Sequence, residues 1–442
     1  MDCRRTSYRH NWYIVSARLR KYTIVAGNSL TIPSFFKNRY RDHKNIIKIV
    51  SASIIAVFFT VYTASAFSSG AKLFATLFSN SASGDENYNQ VYVIGLIVAA
   101  VVILVYTFMG GFKAVCTTDL IQGLMMIVAI LSVPVLAYAI LTFDTSFSSA
   151  LAAKGVEQPA QFLNFFVNGD GTPVSAVSII SNLAWGLGYF GMPHILVRFM
   201  AVKSNEEIKK SRKIAVVWVI ISLTASCLIG LIARGYLTAQ LDDATSESVF
   251  IRTIQQIFSG NGVLIFIGGI FLCGILAAIM STADSQLLVT ASAVSEDLYK
   301  GAVKKNASEK SSLLVGKIAV AVVAVIAFFI ALNPKSSIMG LVSDAWAGFG
   351  SAFGPVVLLA LFWKRSTLSG AISGMATGAL TVIIWDYIPL VNGQTLYAAT
   401  NLYSLVVGFG LALIVNVIVS LLSKKPSKEI MDEFDSIKNI EV

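Results

Sequence analysis

Long apolar segments alternate with short polar connections along most of this chain. Each segment is long enough to cross the hydrocarbon core of a bilayer as an α-helix, which takes about 20 residues. The segments are 49–78, 91–108, 114–141, 175–200, 214–236, 263–293, 313–332, 338–363, 369–388 and 402–422. The pattern therefore predicts an all-α polytopic membrane protein with about ten complete transmembrane helices.

The charge of the connections alternates from one side of the predicted bundle to the other. Connections rich in lysine and arginine all fall on one side, whereas acidic or neutral connections fall on the other, with Lys335 as the clear exception. Because basic loops stay in the cytoplasm, this pattern indicates a multi-pass protein of the plasma (inner) membrane. The predicted organisation is a basic cytoplasmic N-terminal segment (1–48), a transmembrane domain (49–423) and a cytoplasmic C-terminal tail (424–442).

Composition excludes several other classes of protein. The chain has 442 residues, of which 55% are hydrophobic and 13% charged, and its mean hydropathy is +0.72, which is too apolar for a soluble domain. The net charge of +10 does not indicate a nucleic-acid partner, because the basic residues gather in loops between apolar segments. The four cysteines show no disulfide framework or metal-ligand spacing. The sequence also has no nucleophile–base pair, so we do not expect an enzyme.

The fourth apolar segment is interrupted by helix-breaking residues. Its central stretch, 183–199, reads LAWGLGYFGMPHILVRF. The breakers are Gly186, Gly188, Gly191 and Pro193. Backbone groups freed by such a break are tolerated in a membrane only where they face protein or a water-filled cavity. Trp185, Tyr189 and Pro193 are spaced four residues apart and so lie near one face. The stretch is typical of a solute site in secondary transporters, and the alternative is a kinked structural helix whose aromatic side chains only pack.

Polar residues inside the other segments are further candidates. An aspartate at a helix centre costs about 2.5 to 3.5 kcal/mol on insertion scales, and Asp119 and Asp284 both lie within apolar segments. Each is either hydrated near an interface or part of an ion or proton pathway. The carbonyl of Ala278 and the hydroxyls of Ser281 and Thr282 face one region of a helix and would suit a hard cation such as sodium. The alternative is that these hydroxyls only bond back to a backbone carbonyl.

Four long stretches of the chain resemble the solute:sodium symporter family. They are YTFMGGFKAVCTTDLIQ (106–122), WGLGYFGMPHILVRFMA (185–201), ILAAIMSTADSQLLVTASAVSEDLYK (275–300) and GLVSDAWAGFGSAFGPVVLLALFWKR (340–365). The resemblance runs from about Asn11 to the tail, and it is strongest to the branch of the family that carries proline with sodium.

The resemblance implies a fold and a function. The fold would be of the leucine-transporter type, with two inverted five-helix repeats plus extra helices. The function would be sodium-coupled import of L-proline, with Na⁺ as the coupling ion and the lipid bilayer as surroundings. Met192 stands where the better-known proline carriers have glutamine, so another small organic solute remains an alternative. A non-transporting fragment or a sensor is the other alternative, although the short tail offers no signalling domain.

The resemblance also implies roles for individual residues. Matching positions place four residues at the substrate site, namely Tyr62, Trp185, Tyr189 and Pro193. Three others would form one half of the sodium site, namely Ala278, Ser281 and Thr282. Asp119 matches an acidic position near the ion path of the family.

The family begins with two further spans that have no counterpart here. The stretch 11–23 resembles only the cytoplasmic end of the second of these spans. In the family, the missing part supplies a broken helix with the other half of the sodium site. We therefore expect a truncated chain that lacks its first one to two spans and whose coupled transport is impaired.

Overall fold

The computed structural model describes residues 11–79, 85–109, 112–168, 171–243, 245–304 and 306–437. Residues 1–10 of the predicted N-terminal segment and residues 438–442 of the predicted tail lie outside these ranges. The helices are α1 (Ser16–Val25), α2 (Ile32–Arg39), α3 (Ile46–Phe78), α4 (Glu86–Met109), α5 (Phe112–Asp144), α6 (Phe147–Ala153), α7 (Pro159–Phe162), α8 (Ala176–Gly188), α9 (Pro193–Ala201), α10 (Asn205–Tyr236), α11 (Val249–Ile257), α12 (Gly262–Ser292), α13 (Glu309–Ala331), α14 (Ile338–Phe362), α15 (Leu368–Tyr387), α16 (Leu396–Thr400), α17 (Ser404–Leu422) and α18 (Lys428–Ser436).

Smaller elements complete the described chain. Strands β1 (Pro389–Val391) and β2 (Gln394–Thr395) pair as an antiparallel hairpin between α15 and α16. A π-helical turn, Asn11–Val15, precedes α1, and a 3₁₀ turn, Ser246–Ser248, precedes α11. A π-helix, Ala293–Val303, continues α12.

Nine of the ten predicted spans are found as single long helices. Within the described residues, nine helices are long and apolar enough to cross a membrane, namely α3, α4, α5, α10, α12, α13, α14, α15 and α17. The remaining predicted segment, 175–200, corresponds to the pair α8 and α9. We call the end of the bundle that holds the lysine- and arginine-rich connections the basic end, and the opposite end the acidic end.

Helix α14 lies at the centre of the bundle. In α14, 83% of an 18-residue stretch is buried, compared with 11–44% of the corresponding stretches in the other eight long helices named above. It packs on α3, α8, α15 and α17. Its small residues let neighbours approach closely, as at Gly348, where a side chain would collide with the ring of Phe58. The ring of Phe349 packs on Phe59 at a centroid distance of 4.4 Å, which joins α14 to α3.

A second apolar core joins α3, α4, α12 and α13. Its largest fully buried polar side chain is Tyr92, whose hydroxyl donates to the carbonyl of Ala331 at 2.8 Å. Helix α10 is the least buried of the spans, and α5 and α12 come next. Their many exposed apolar side chains therefore suit contact with lipid.

The segments on either side of the predicted transmembrane domain meet at the basic end. Arg18 and Arg39 donate to the carbonyls of Leu361 and Ala360 at the C-terminal end of α14. Cations are stabilising there because a helix C-terminus carries partial negative charge. The ring of Phe434 on α18 lies 5.1 and 5.3 Å from these two guanidinium groups. Helices α1, α2 and α18 thus form one packed body with the bundle.

Candidate functional site

The break in the fourth span lies where the sequence predicts it. Helix α8 ends at Gly188 and α9 begins at Pro193. Two bonds tighten the turn between them, from Phe190 N–H to the carbonyl of Leu187 and from Gly191 N–H to the carbonyl of Gly188. Pro193 occupies the first position of α9, where the missing N–H costs no helical bond.

The glycines at the break have a second role that sequence reasoning did not find. A side chain at Gly188 would collide with the indole of Trp346, and one at Gly191 would collide with the backbone of Phe349. Both positions therefore allow the central helix α14 to lie directly against the interrupted backbone. The glycines interrupt the span and also make room for its neighbour.

An aromatic cluster covers one side of the break. The indole of Trp185 stacks on that of Trp346 at 5.1 Å with an interplanar angle of 13°, and on the ring of Tyr403 at 6.1 Å and 16°. Tyr189 meets Trp346 edge-to-face at 4.8 Å. Trp346 Nε1 donates to the carbonyl of Trp185 at 2.9 Å. The structure thus brings Trp185 and Tyr189 together and adds Trp346 and Tyr403, which sequence reasoning missed.

Tyr62 and Pro193 reach the break from another direction. The ring of Tyr62, on α3, meets the ring of His194 edge-to-face at 6.4 Å, and Tyr62 is also an electrostatic neighbour of Tyr189. Pro193 and His194 line a small cavity of about 60 Å³ that extends to Arg198. Neither Trp185 nor Tyr189 lines this cavity. The four predicted substrate residues therefore all lie at or beside the break, and Pro193 also lines this cavity.

The three predicted sodium ligands lie within one turn of α12. The hydroxyls of Ser281 and Thr282 donate to the carbonyl of Ala278 at 3.2 and 2.9 Å. This is the back-bonded arrangement that the sequence left open as the alternative. A hydroxyl that donates its hydrogen keeps lone pairs, so the three oxygens can still face a cation together. Three oxygens are fewer than a hard cation usually takes, so further ligands would come from other residues.

Asp119 is held in an ion pair between helices. Its Oδ2 lies 2.8 Å from Nη2 of Arg198, linking α5 to α9. The same nitrogen donates to Ser285 Oγ on α12 at 2.9 Å. The neighbouring Asp284 is 1% exposed, and Thr107 lies beside its carboxylate. Arg198 was missed, but an arginine inside a membrane needs a partner, and that rule could have found it.

A second polar tie lies at the acidic end, where sequence reasoning predicted no site. Glu247 accepts bonds from Lys72 Nζ at 2.6 Å, Ser337 Oγ at 3.0 Å and Met339 N–H at 3.2 Å. Burial raises the pKa of Glu247, but these bonds and the charge of Lys72 outweigh it, so that its pKa lies below the ordinary value. The connection before α11 thereby joins the end of α3 to the start of α14.

The chain is similar in sequence to known proteins. The sequence profile of the Sodium:solute symporter family matches residues 6–378. A protein named "Sodium/proline symporter" from Staphylococcus aureus is 41% identical over 438 residues, covering 97% of this chain and 80% of the relative. A "Sodium/proline symporter 2" from Staphylococcus saprophyticus is 42% identical with the same coverage.

A solved structure has a similar fold. It is a Na⁺-coupled sialic acid symporter in a substrate-bound outward-open state, similar with a TM-score of 0.64 over 96% of this chain and 91% of the other. At 17% sequence identity the likeness concerns the fold alone. The expected leucine-transporter-type architecture is confirmed.

Proposed function

This chain belongs to the sodium:solute symporter family, and we propose that it imports L-proline together with sodium. Sodium-coupled solute symport is the activity of the family, and sodium is its coupling ion. The observation that carries the choice of proline is the 41% identity, over 97% of this chain, to proteins named sodium/proline symporter.

The chemistry of the break supports a solute of this kind. Proline is a small apolar ring with a carboxylate and a secondary ammonium group. The rings of Tyr62, Trp185 and Tyr189 suit the apolar ring and attract the cation. Helix α9 begins at Pro193, and its N-terminal amide groups favour a carboxylate in the break. We assign Tyr62, Trp185, Tyr189 and Pro193 to the substrate site.

We assign the carbonyl of Ala278 and the hydroxyls of Ser281 and Thr282 to the sodium site. Their support is that all three oxygens lie together on one turn of α12. Asp119 is assigned to the ion path, because its carboxylate lies at the junction of α5, α9 and α12. Transport is coupled if bound sodium favours the conformation that binds proline, in which case proline favours sodium binding by the same factor.

The orientation proposed here places the basic end in the cytoplasm of the cell. Residues 49–423 form the transporting domain within the plasma (inner) membrane, and residues 1–48 and 424–442 lie on its cytoplasmic side. The charge asymmetry of the connections supports this assignment. Labelling of cysteines placed singly in the loops of intact cells, with a reagent that cannot cross the membrane, tests it.

Uptake into proteoliposomes tests the function. Purified protein is reconstituted, and entry of labelled L-proline is measured with an inward sodium gradient and with sodium replaced by potassium. Sodium-coupled symport of proline predicts that sodium accelerates uptake and that unlabelled L-proline competes better than other amino acids or sugars. Uptake that is indifferent to sodium contradicts symport, and better competition by another solute contradicts the assignment to proline.

A further inference from the structure

The last turn of α8 receives a hydrogen bond from outside its own span. Carbonyl groups in the last turn of a helix need donors that the helix does not fully supply. Trp346 Nε1 provides one to the carbonyl of Trp185 at 2.9 Å, across 161 residues of sequence. Inside a membrane, where water does not replace a lost donor, such a bond fixes the position of the helix end.

The same indole contacts the two aromatic residues of the break. It stacks on Trp185 and meets Tyr189 edge-to-face. The Trp346 side chain therefore contacts both the backbone at the end of α8 and the rings of Trp185 and Tyr189. Aromatic pairs of this kind contribute about 0.5 to 1.5 kcal/mol beyond the area that they bury.

The indole also fits against bare backbone. Gly188 leaves room for it, because a side chain there would collide with the ring of Trp346. One helical turn further along α14, Gly350 approaches the backbone of the same Gly188. Trp346 itself is 5% exposed and is flanked by the fully buried Ala345 and Ala347. It is therefore a fixed point on the most enclosed helix of the bundle.

From these contacts we infer that Trp346 is a positioning residue of the substrate site, which sets the affinity for the solute by holding Trp185 and Tyr189 in place. The inference rests on the proposed function, since the break must be where the solute binds. Trp346 acts through the geometry of its neighbours and needs no contact with proline. The effects of its N–H and of its ring can be separated, because a Trp346→Phe variant keeps an aromatic ring but loses the hydrogen-bond donor.

The first test compares Trp346→Phe with wild type in the proteoliposome assay. We expect the half-saturating proline concentration to rise about tenfold, as for one lost hydrogen bond. The maximal rate at equal protein abundance should change less than about twofold. Trp385→Phe is the matched control, because Trp385 Nε1 also donates to a backbone carbonyl, that of Leu402, at 3.0 Å.

Two outcomes of this comparison overturn the inference. One is an unchanged half-saturating concentration in Trp346→Phe, whatever happens to its maximal rate. The other is an equal rise in Trp385→Phe, which would make the effect a general one of losing an indole bond. If wild-type protein shows no sodium-driven proline uptake, the proposed function itself has failed, so the two failures are distinguishable.

A double-mutant cycle tests the contact directly. Gly188→Ala should raise the half-saturating proline concentration, because the added methyl group displaces the indole of Trp346. In a Trp346→Ala background the same change should have a much smaller effect, since the indole is gone. Independent, multiplicative effects of the two substitutions would contradict the inference. Unfolding temperatures measured in parallel separate these effects from general destabilisation.

Discussion

At the scale of single residues, the proposed solute and ion sites use different chemistry. Tyr189 offers an aromatic ring at the break, whereas Thr282 offers a hydroxyl on α12. We expect Tyr189→Ala mainly to raise the half-saturating proline concentration, about tenfold for the loss of one aromatic contact. We expect Thr282→Ala mainly to raise the half-saturating sodium concentration. Each substitution should also show a smaller effect on the other ligand, because linkage is reciprocal.

Conservative variants serve as controls for this pair. Tyr189→Phe keeps the ring and Thr282→Ser keeps the hydroxyl, so each should stay closer to wild type than the corresponding alanine variant in uptake assays that vary proline and sodium separately. If sodium dependence is the same in Thr282→Ala and wild type, Thr282 is not an ion ligand. The hydroxyl then serves only its bond to the carbonyl of Ala278.

Residues of the break could be found from the sequence, but their partners could not. Trp185 and Tyr189 stand among glycines within an apolar segment, and that local pattern marks an interruption. Trp346 stacks on Trp185 from 161 residues away, and nothing in its own segment indicates which helix it faces. The pairing depends on the order in which helices pack, and hydropathy does not encode this order.

At the scale of helices, the ion pair of Asp119 and Arg198 ties α5 to α9. We expect Asp119→Asn and Arg198→Gln to lower the unfolding temperature by similar amounts, because each leaves a partly buried partner without its counter-charge. If Asp119 also lies on the ion path, Asp119→Asn should raise the half-saturating sodium concentration more than Arg198→Gln does. Thermal unfolding and sodium titration of uptake measure the two effects.

The comparison of these two variants decides the role of Asp119. Equal effects on sodium dependence would mean that Asp119 serves only as the partner of Arg198. Lys203→Gln is a suitable control, since it removes a cation beyond the end of α9 for which no ion pair is found within the described residues. It should leave both measurements unchanged.

The observed bounds of the helices show where hydropathy alone does not predict the beginning or the presence of a helix. Helix α13 was predicted from residue 313 but begins at Glu309, after Ser308, whose side chain accepts a bond from Ser311 N–H. Capping side chains of this kind extend helices into polar connections, beyond the apolar stretch that predicts them. The short helices α1 and α2 lie in the segment predicted only as basic and cytoplasmic, and hydropathy did not indicate them, because their burial depends on contacts with α14 and α18.

At the scale of the whole molecule, polar contacts hold both ends of α14. Arg18 and Arg39 bond to its last carbonyls at the basic end, and Glu247 accepts the Met339 N–H in its first turn at the acidic end. The helix is buried between these points. It can therefore serve as the fixed reference against which the break and its neighbours are positioned.

The hold at the acidic end should depend on pH. Folding lowers the pKa of Glu247 below its ordinary value of 4.5. Such a group stabilises the folded state fully above the unfolded pKa, and the stabilisation is lost as the pH falls through the folded-state pKa. Glu247→Gln should therefore lower the unfolding midpoint at pH 7 by about 2 to 4 °C, as expected for about 1 kcal/mol.

Thermal unfolding in lipid nanodiscs at pH 7 and in acid measures this contribution. The difference between wild type and Glu247→Gln should shrink as the pH falls below 4.5, the ordinary pKa of the side chain. Asp243→Asn, at an exposed position in the same connection, is the control and should have little effect at either pH. A difference that is equal at both pH values would show that the charge of Glu247 contributes nothing to stability.

The parallel stack of Trp185 on Trp346 has an optical consequence. Two indoles whose centroids are 5.1 Å apart and whose planes are 13° from parallel couple their electronic transitions, and the coupling falls steeply with separation and changes sign with orientation. Near-ultraviolet circular dichroism of the unlabelled protein therefore carries a signal from the junction between α8 and α14. Any motion that parts the two helices changes that signal, so the protein contains its own spectroscopic reporter at the proposed solute site.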